Sequence, residues 1–237
     1  MIKNKLRNFA KNRYKSIIED SIHEKIQNDM KILDIGAGNC WLLNLLSNNY
    51  TKIGIDLHAH QHFIDNTFID FMNTKSSNFV FGDATNLPFP DATFDIVYSN
   101  EFVSHVNDID ETLMEQIRVL KKDGVLLIMD SNPINPEVFL SCFIINYLTS
   151  RNSKIKRGGM RWLFNRDEPF YELAPIKEGK RMVCWKDENI HTKFWWKKKL
   201  RSYSDIMYFE LSNFWSYHPI PSFKLIANKI LVVGKKL

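Results

Sequence analysis

Short apolar runs alternate along the chain with segments whose apolar residues recur at helical spacing. The run over residues 31–35 predicts a buried parallel strand, which Gly36 and Gly38 lead into a loop bare of side chains. Apolar residues over 41–46 then predict a helix that begins near Asn39. A ligand can therefore approach the backbone of this strand-to-helix loop.

The same pattern predicts further strands over residues 51–56, 78–83 and 94–99. A helical segment over 63–71 separates the first two of these strands. Two prolines in LPFPD exclude a helix before the last one, so an ordered loop is expected there. Strands that alternate with helices indicate an α/β fold with a mostly parallel sheet.

Three of the predicted strands end in an aspartate, namely Asp34, Asp56 and Asp83. Ligands of open α/β sheets bind at the carboxyl ends of the strands, so these carboxylates are expected to share one crevice. They favour a cationic ligand without phosphates, and Asp56 stands where a carboxylate can accept both hydroxyls of a ribose. A dinucleotide is disfavoured because Trp41 replaces the third glycine of its fingerprint. The alternative role for these three aspartates is to cap the N-termini of helices.

Four stretches between residues 31 and 130 carry a resemblance to a known family: KILDIGAGNC, the acid of IGID, GDATNLPFPDATFDIVYSN and RVLKKDGVLLIMD. They resemble the class I S-adenosylmethionine-dependent methyltransferases, most closely the group similar to ubiquinone and menaquinone biosynthesis methyltransferases. The resemblance implies a Rossmann-like α/β fold with a seven-stranded, mostly parallel sheet of order 3-2-1-4-5-7-6. Residues 207–214 and 228–234 fit its sixth strand and its antiparallel last strand.

The resemblance also implies which residues bind the cofactor, S-adenosyl-L-methionine. Asp34 would hold the methionine amino group, Asp56 the ribose hydroxyls and Asp83 the adenine amino group. The other residues of the implied site are Gly36, Ala37, Gly38, Leu57, Ala84 and Asn100. Two positions depart from the family pattern, since Cys40 replaces a third loop glycine and Lys122-Asp123-Gly124 replaces a Pro-Gly-Gly.

A catalytic base is needed only if the methyl acceptor loses a proton, because an activated carbon needs no strong base. His105, which follows the fourth strand in SNEFVSHVND, is the candidate because histidine titrates near neutral pH. The three histidines of HAHQH, residues 58–62, have no evident partnering cysteine or carboxylate cluster. No metal site is therefore predicted.

The chain of 237 residues is expected to form a single methyltransferase domain. Residues 1–30 alternate basic and apolar positions, which predicts a helical cap or helices that pack on the sheet edge. The stretch over 133–200 is longer than the fold needs between strands five and six, and it is rich in aromatic and basic residues. It is interpreted as an inserted lid or acceptor-binding segment.

The net charge of +5 is unevenly distributed. Residues 1–18 hold six lysines and arginines and no acid, and residues 151–201 hold fifteen against six acids. Such runs are either solvated surface or they face an anionic acceptor or surface. Three scattered cysteines predict no disulfide framework and fit a reducing cytoplasm. No stretch is long enough to span a bilayer, and peripheral membrane contact and the oligomeric state are left open.

These observations predict an enzyme that transfers a methyl group to a small-molecule acceptor of aromatic, lipidic or saccharide-like and, in view of the basic segments, anionic character. Two alternatives are left open. One is an RNA methyltransferase that uses the basic aromatic segment 185–201, although no [DNS]PP[YF] follows the fourth strand. The other is a catalytically inactive methyltransferase-like binding protein.

Overall fold

The computed structural model describes residues 12–20, 29–57, 66–106, 108–132, 135–136, 191–203, 206–214 and 229–237. Its strands are β1 (Lys31–Ile35), β2 (Thr51–Asp56), β3 (Ser77–Phe81), β4 (Phe94–Asn100), β5 (Leu120–Ser131), β6 (Ile206–Phe214) and β7 (Lys229–Lys236). The described helices are α1 (residues 12–20), α2 (Asn66–Met72), α3 (Ile109–Val119) and α4 (Lys193–Leu200).

The strands form one sheet of order β3-β2-β1-β4-β5-β7-β6. Each of β1 to β5 is parallel to its neighbours within that set, and β7 is antiparallel to both β5 and β6. This arrangement confirms the predicted Rossmann-like α/β fold and its strand order. The carboxyl ends of β1 to β4 consequently share one edge of the sheet, where the binding crevice of such folds lies.

Apolar side chains cover both faces of the sheet. On one face Tyr14 and Ile18 of α1 pack with the apolar residues of β1, β4 and β5. On the other face Leu113 of α3 packs with Trp196 and Leu200 of α4. The central strands are buried on both sides as a result, which gives the strand ends a rigid support.

The prediction of a helix that begins near Asn39 is wrong. The structure describes every residue between β1 and β2, and that segment holds turns and a single 3₁₀ turn over Leu43–Leu45. Gly38 and Cys40 have left-handed φ angles of 51° and 57°, which are incompatible with a continuous right-handed helix. The asparagines and serine that follow add little helix propensity. The apolar spacing serves the core instead, since Leu42 is buried.

The other predicted strands agree with the observed ones to within two residues at each end. The helical cap over 1–30 and the insert over 133–200 stay predictions, because α1 and α4 are the main parts of them that the structure describes. Residues 58–62 with the HAHQH histidines also lie outside the described residues. Within the described ranges no helix is long and apolar enough to cross a membrane, and no cluster of three metal-ligating side chains occurs.

Candidate functional site

The loop after β1 is held against β2 by its own backbone. The amides of Gly36 and Ala37 both donate to the carbonyl oxygen of Ile55, at 2.9 and 3.1 Å. Gly36 has a φ of 72°, and a Cβ atom there would lie 2.3 Å from the ring of Phe102. Position 36 therefore requires glycine for both its conformation and its space.

Cys40, which replaces the family's third loop glycine, packs into the sheet. A Cβ atom on Gly54 of β2 would lie only 2.8 Å from Cys40 Sγ, so the glycine leaves the space that the thiol fills. Cys40 is fully buried, and burial, followed by the charges of Asp34 and Asp56, raises the pKa of its thiol. The thiol is thus a neutral packing group beneath the loop.

Asp34 and Asp56 form the acidic floor of the crevice at the ends of β1 and β2. Gly38 N donates to Asp56 Oδ2 at 3.0 Å, which ties the glycine loop to the second acid. Asp34 is 3% exposed, and no residue in the described part of the chain hydrogen-bonds to its carboxylate. Burial and then the charge of Asp56 raise the pKa of Asp34 well above its usual range. A cation beside these groups would be strongly stabilised.

Asp83 lies beyond β3 at the next strand end. Gly82 N donates to the carbonyl oxygen of Asp56 at 3.1 Å, which joins the two strand ends. Asp83 Oδ1 accepts from both the amide and the hydroxyl of Thr85 at 2.9 Å, and no other described residue donates to Oδ2, which is left for an outside donor. Ala84 beside it is half-buried. Leu57, which follows Asp56, is 54% exposed and offers an apolar surface at the rim of the crevice.

Asn100 ends β4 next to the glycine loop. Ile35 of β1 and Ser99 of β4 are register partners, which brings Asn100 level with Gly36. The Oδ1 atom of Asn100 is buried and has no hydrogen-bond partner among the described residues. A buried acceptor without a donor is costly, so this atom favours a ligand that donates a hydrogen bond.

His105 occupies a different environment from the acids. It ends the 3₁₀ turn Val103–His105 and is exposed, and its backbone amide donates to the carbonyl oxygen of Phe102 at 2.9 Å. The structure therefore brings Asp34, Asp56 and Asn100 to one edge and leaves His105 at the surface beside it. Its role as a base stays a prediction.

Arg118 of α3 anchors the loop that follows Asp83, and sequence analysis missed this. Its guanidinium donates to the carbonyl oxygens of Leu87 and Phe89 at 3.1 and 2.8 Å. Glu115 pairs with Arg118 Nε at 2.6 Å and accepts from the amide of Leu87 at 2.7 Å. The hydrogen bonds from Arg118, above all, lower the pKa of Glu115. The signal was the loop itself, because a proline-interrupted segment needs side-chain partners for its carbonyls.

A second group of polar residues that sequence analysis missed lies at the ends of β4 and β5 and the start of β7. Lys229 forms an ion pair with Glu101, and Ser131 donates to Glu101 Oε2 at 2.9 Å. Asp130 is adjacent and only 2% exposed. The partners are 128 residues apart in the sequence, so no local pattern could reveal them.

Residues 33–128 match the family described as a methyltransferase domain. YcgJ, an uncharacterised methyltransferase of Bacillus subtilis, is 33% identical over 102 residues, which are 42% of this chain and 40% of YcgJ. Demethylmenaquinone methyltransferase of Paenarthrobacter aurescens is 30% identical over 125 residues, 52% of this chain and 47% of that enzyme. The chain thus spans less than half the length of these relatives. The crystal structure of YcgJ aligns with a TM-score of 0.58 at 18% identity, over 95% of this chain and 98% of YcgJ.

These findings confirm the resemblance to the class I S-adenosylmethionine-dependent methyltransferases, and the structural likeness shows the same fold. The family and the fold imply S-adenosylmethionine as the cofactor. The crevice fits this molecule, which carries an ammonium group and a sulfonium charge. Asp34 supplies a carboxylate without a hydrogen-bond donor among the described residues, and Asn100 Oδ1 is a buried acceptor that is still unpartnered.

Proposed function

We propose, on the premise that residues 33–128 carry a methyltransferase domain, that the chain transfers a methyl group from S-adenosylmethionine to a small-molecule acceptor. The observation that carries this proposal is the buried carboxyl of Asp34 in the field of Asp56, beside a glycine loop. Two acids in one crevice destabilise each other until a cation binds between them. A positively charged sulfur nucleoside meets that need.

Each strand end supplies one part of the proposed cofactor site. Asp34 and Asn100 would accept from the methionine ammonium. Asp56 would accept from the ribose hydroxyls through Oδ1, since Oδ2 already accepts from Gly38. Asp83 would accept from the adenine amino group through Oδ2, with Leu57 and Ala84 against the ring. The backbone of the loop over 36–38 would approach the methionine part closely, because side chains there are absent or small.

The bound cofactor supplies an electrophilic methyl group on a sulfonium. The protein's task is then to align the acceptor in line with that group and to keep water out. Tyr14 of α1 packs edge-on against Trp41 with ring centroids 5.5 Å apart, and Phe102 packs over Gly36. These three aromatic rings support the exclusion of water around the glycine loop.

The acceptor is proposed to be a small molecule because the Paenarthrobacter relative is named a demethylmenaquinone methyltransferase. An RNA acceptor is the second candidate, and the exposed face of α4 favours it. Phe194 there is 68% exposed and Lys197 is exposed beside it, a combination that suits stacking and phosphate contact.

Calorimetry with S-adenosylhomocysteine tests the cofactor site. We expect wild-type protein to bind it and Asp56→Asn to bind it about tenfold or more weakly, since charge-assisted hydrogen bonds to the ribose are lost. Glu111→Gln is the matched control, because Glu111 is exposed in the first turn of α3 and is not among the residues of the proposed site. Absence of binding by folded wild-type protein would refute the proposal.

Filter binding with a short RNA, over a series of salt concentrations, separates the two acceptor classes. A steep loss of RNA affinity with salt, reduced in Lys197→Ala, would favour the RNA acceptor. We expect weak binding that does not depend on Lys197.

A further inference from the structure

An ionic cluster lies next to the proposed cofactor site, where β4 and β5 end and β7 begins. Lys229 Nζ pairs with Glu101 and donates to Ser131 Oγ at 3.3 Å. The Ser131 hydroxyl donates to Glu101 Oε2 at 2.9 Å, and the Ser131 amide donates to Asp130 Oδ1 at 2.8 Å. Glu101 is therefore paired with the Lys229 ammonium and the Ser131 hydroxyl, and Asp130, the chain neighbour of Ser131, is held by a backbone amide in a site that is largely shielded from solvent.

The cluster carries one carboxyl more than Lys229 can neutralise. Burial and then the charge of Glu101 raise the pKa of Asp130 to about 7, against weaker opposing effects of Ser131, Lys229 and Ser104. Burial alone would lower the pKa of Lys229, but Glu101 and Tyr14 raise it above its usual value, so this side chain stays charged. The cluster as a whole can thus take up and release one proton near neutral pH.

Glu101 is the member of the cluster that reaches solvent. Its side chain is 30% exposed, whereas the side chain of Lys229 is 11% exposed. Its backbone has a left-handed φ of 53°, and its amide donates to the carbonyl oxygen of Met129 at 2.8 Å. An unfavourable backbone conformation held in place by the sheet is a frequent property of functional sites.

Tyr98 connects this cluster with the proposed cofactor site. It is the register partner of Asp34, and its hydroxyl is buried without a hydrogen-bond partner in the described part of the chain. Burial, then the charges of Asp34, Tyr14 and Glu101, raise the pKa of Tyr98, so its hydroxyl is in the electrostatic field of both acids. Asn100 of the proposed site directly precedes Glu101. The cluster therefore borders the end of the crevice where the methionine part of the cofactor would lie.

We propose that Glu101 is the catalytic base of the methyl transfer and that Asp130 is its positioning residue, so that the acceptor is a hydroxyl or an amine. This inference rests on the proposed function. The acceptor's oxygen or nitrogen forms a bond to the methyl carbon, and the carbon–sulfur bond breaks with its electron pair left on sulfur. The proton of the acceptor passes to the Glu101 carboxylate. When Asp130 is ionised, the transfer of the proton to Glu101 removes the repulsion between the two carboxylates, which favours that transfer.

The groups that face Asp130 are Glu101, Ser104, Ser131 and Lys229, and Tyr14 of α1 faces Lys229. Asp130, whose pKa is raised to about 7, changes charge near neutral pH. Methyl transfer is therefore expected to rise with pH through about 7, as Asp130 loses its proton. The exposed His105 would give a similar rise for a different reason, so variants have to separate the two residues.

The experiment measures transfer from tritiated S-adenosylmethionine to catechol, tyramine and indole, with calorimetry of S-adenosylhomocysteine on every variant. Glu101→Gln is expected to lower kcat on catechol or tyramine at least 100-fold while cofactor affinity stays within threefold. Glu101→Asp should recover part of the rate. Asp130→Asn should remove the rise near pH 7 with little change in KM, and Glu111→Gln, the matched control, should behave as wild type.

Infrared difference spectra of protonated carboxyl groups provide a readout without turnover. One carboxyl should titrate near pH 7 in wild type, vanish in Asp130→Asn and shift in Glu101→Gln. Transfer to indole alone, transfer to none of the three probes, or a loss of the pH step in His105→Ala rather than Asp130→Asn would overturn the inference. Failure of wild-type protein to bind S-adenosylhomocysteine would refute the proposed function instead, and circular dichroism checks that each variant is folded.

Discussion

Replacing Arg118 with alanine is expected to loosen the loop that follows Asp83 and to weaken both folding and cofactor binding. The guanidinium donates to two loop carbonyls, those of Leu87 and Phe89, and pairs with Glu115. In the alanine variant the Phe89 carbonyl loses its guanidinium donor, and the Leu87 carbonyl keeps only the Phe89 amide. Glu115, whose side chain is 16% exposed, would keep its charge without its cation. The loop would then be held mainly by its own backbone.

The size of the effect follows from these contacts. A hydrogen bond that involves a charged group contributes about 1.5–3 kcal/mol when it is shielded from water. The side chain of Arg118 is 31% exposed, so solvent screens part of this and the lower value applies. Two such contacts amount to about 3 kcal/mol of unfolding free energy. Displacement of Asp83 by the loosened loop should lower the affinity for S-adenosylhomocysteine about tenfold, or ~1.4 kcal/mol.

Urea unfolding followed by tryptophan fluorescence measures the first effect and calorimetry the second. Arg118→Lys keeps the charge but not the forked geometry, and it should recover less than half of the loss. Arg201→Ala is the matched control, since Arg201 is exposed after α4 and forms no ion pair with any described residue. If Arg118→Ala changed stability by less than ~0.5 kcal/mol and left affinity intact, the anchoring role would be wrong.

Three more outcomes follow from the structure. Burial raises the pKa of Asp130 from 3.8 to about 7, so the contribution of its protonated form to the free energy of unfolding is full below pH ~4 and is lost as pH rises through 7. Urea titrations should show Asp130→Asn becoming up to ~4 kcal/mol more stable relative to wild type across that range. A difference that stays constant with pH would contradict this. Gly54→Ala should destabilise by about 1–3 kcal/mol because the new Cβ atom meets Cys40 Sγ, and an added Cys40→Gly change should recover half of the loss in thermal denaturation. Because the pKa of Glu115 is lowered, its contribution to the free energy of unfolding is full above pH ~4.5 and is lost as pH falls through that lowered pKa. The free energy of unfolding of Glu115→Gln should therefore fall less steeply at acid pH than that of wild type.

Apolar patterning predicted the first strands because they are buried and short, whereas the seven-stranded sheet and its order were implied by the family resemblance. Runs such as residues 31–35 and 51–56 have few alternative conformations, and their acids mark where they end. The helix near Asn39 was wrong because spacing reports which side chains are buried, whereas the backbone at Cys40 decides whether a helix can continue. A left-handed φ at a cysteine has no signal in the pattern of hydrophobic positions.

The candidate site was predictable where one residue acts at one strand end. Asp34 and Asp56 could be identified because a parallel sheet aligns its carboxyl ends whatever the connecting segments contain. Two contacts could not be predicted from the sequence, because they join residues about 30 and 128 positions apart. They are the anchoring of the loop by Arg118 and the pairing of Glu101 with Lys229. Such pairs depend on which helix covers which strand and on the antiparallel insertion of β7. A single sequence carries no record of that proximity.

The position of β7 has a consequence for biosynthesis. It is the last of the seven strands to be made, yet it lies between β5 and β6, and its first residue is Lys229. While the ribosome is still translating earlier segments, Glu101 lacks this cation, and the edge of β5 is open to solvent. Docking of the newly made strand then closes the edge and supplies the cation in one event.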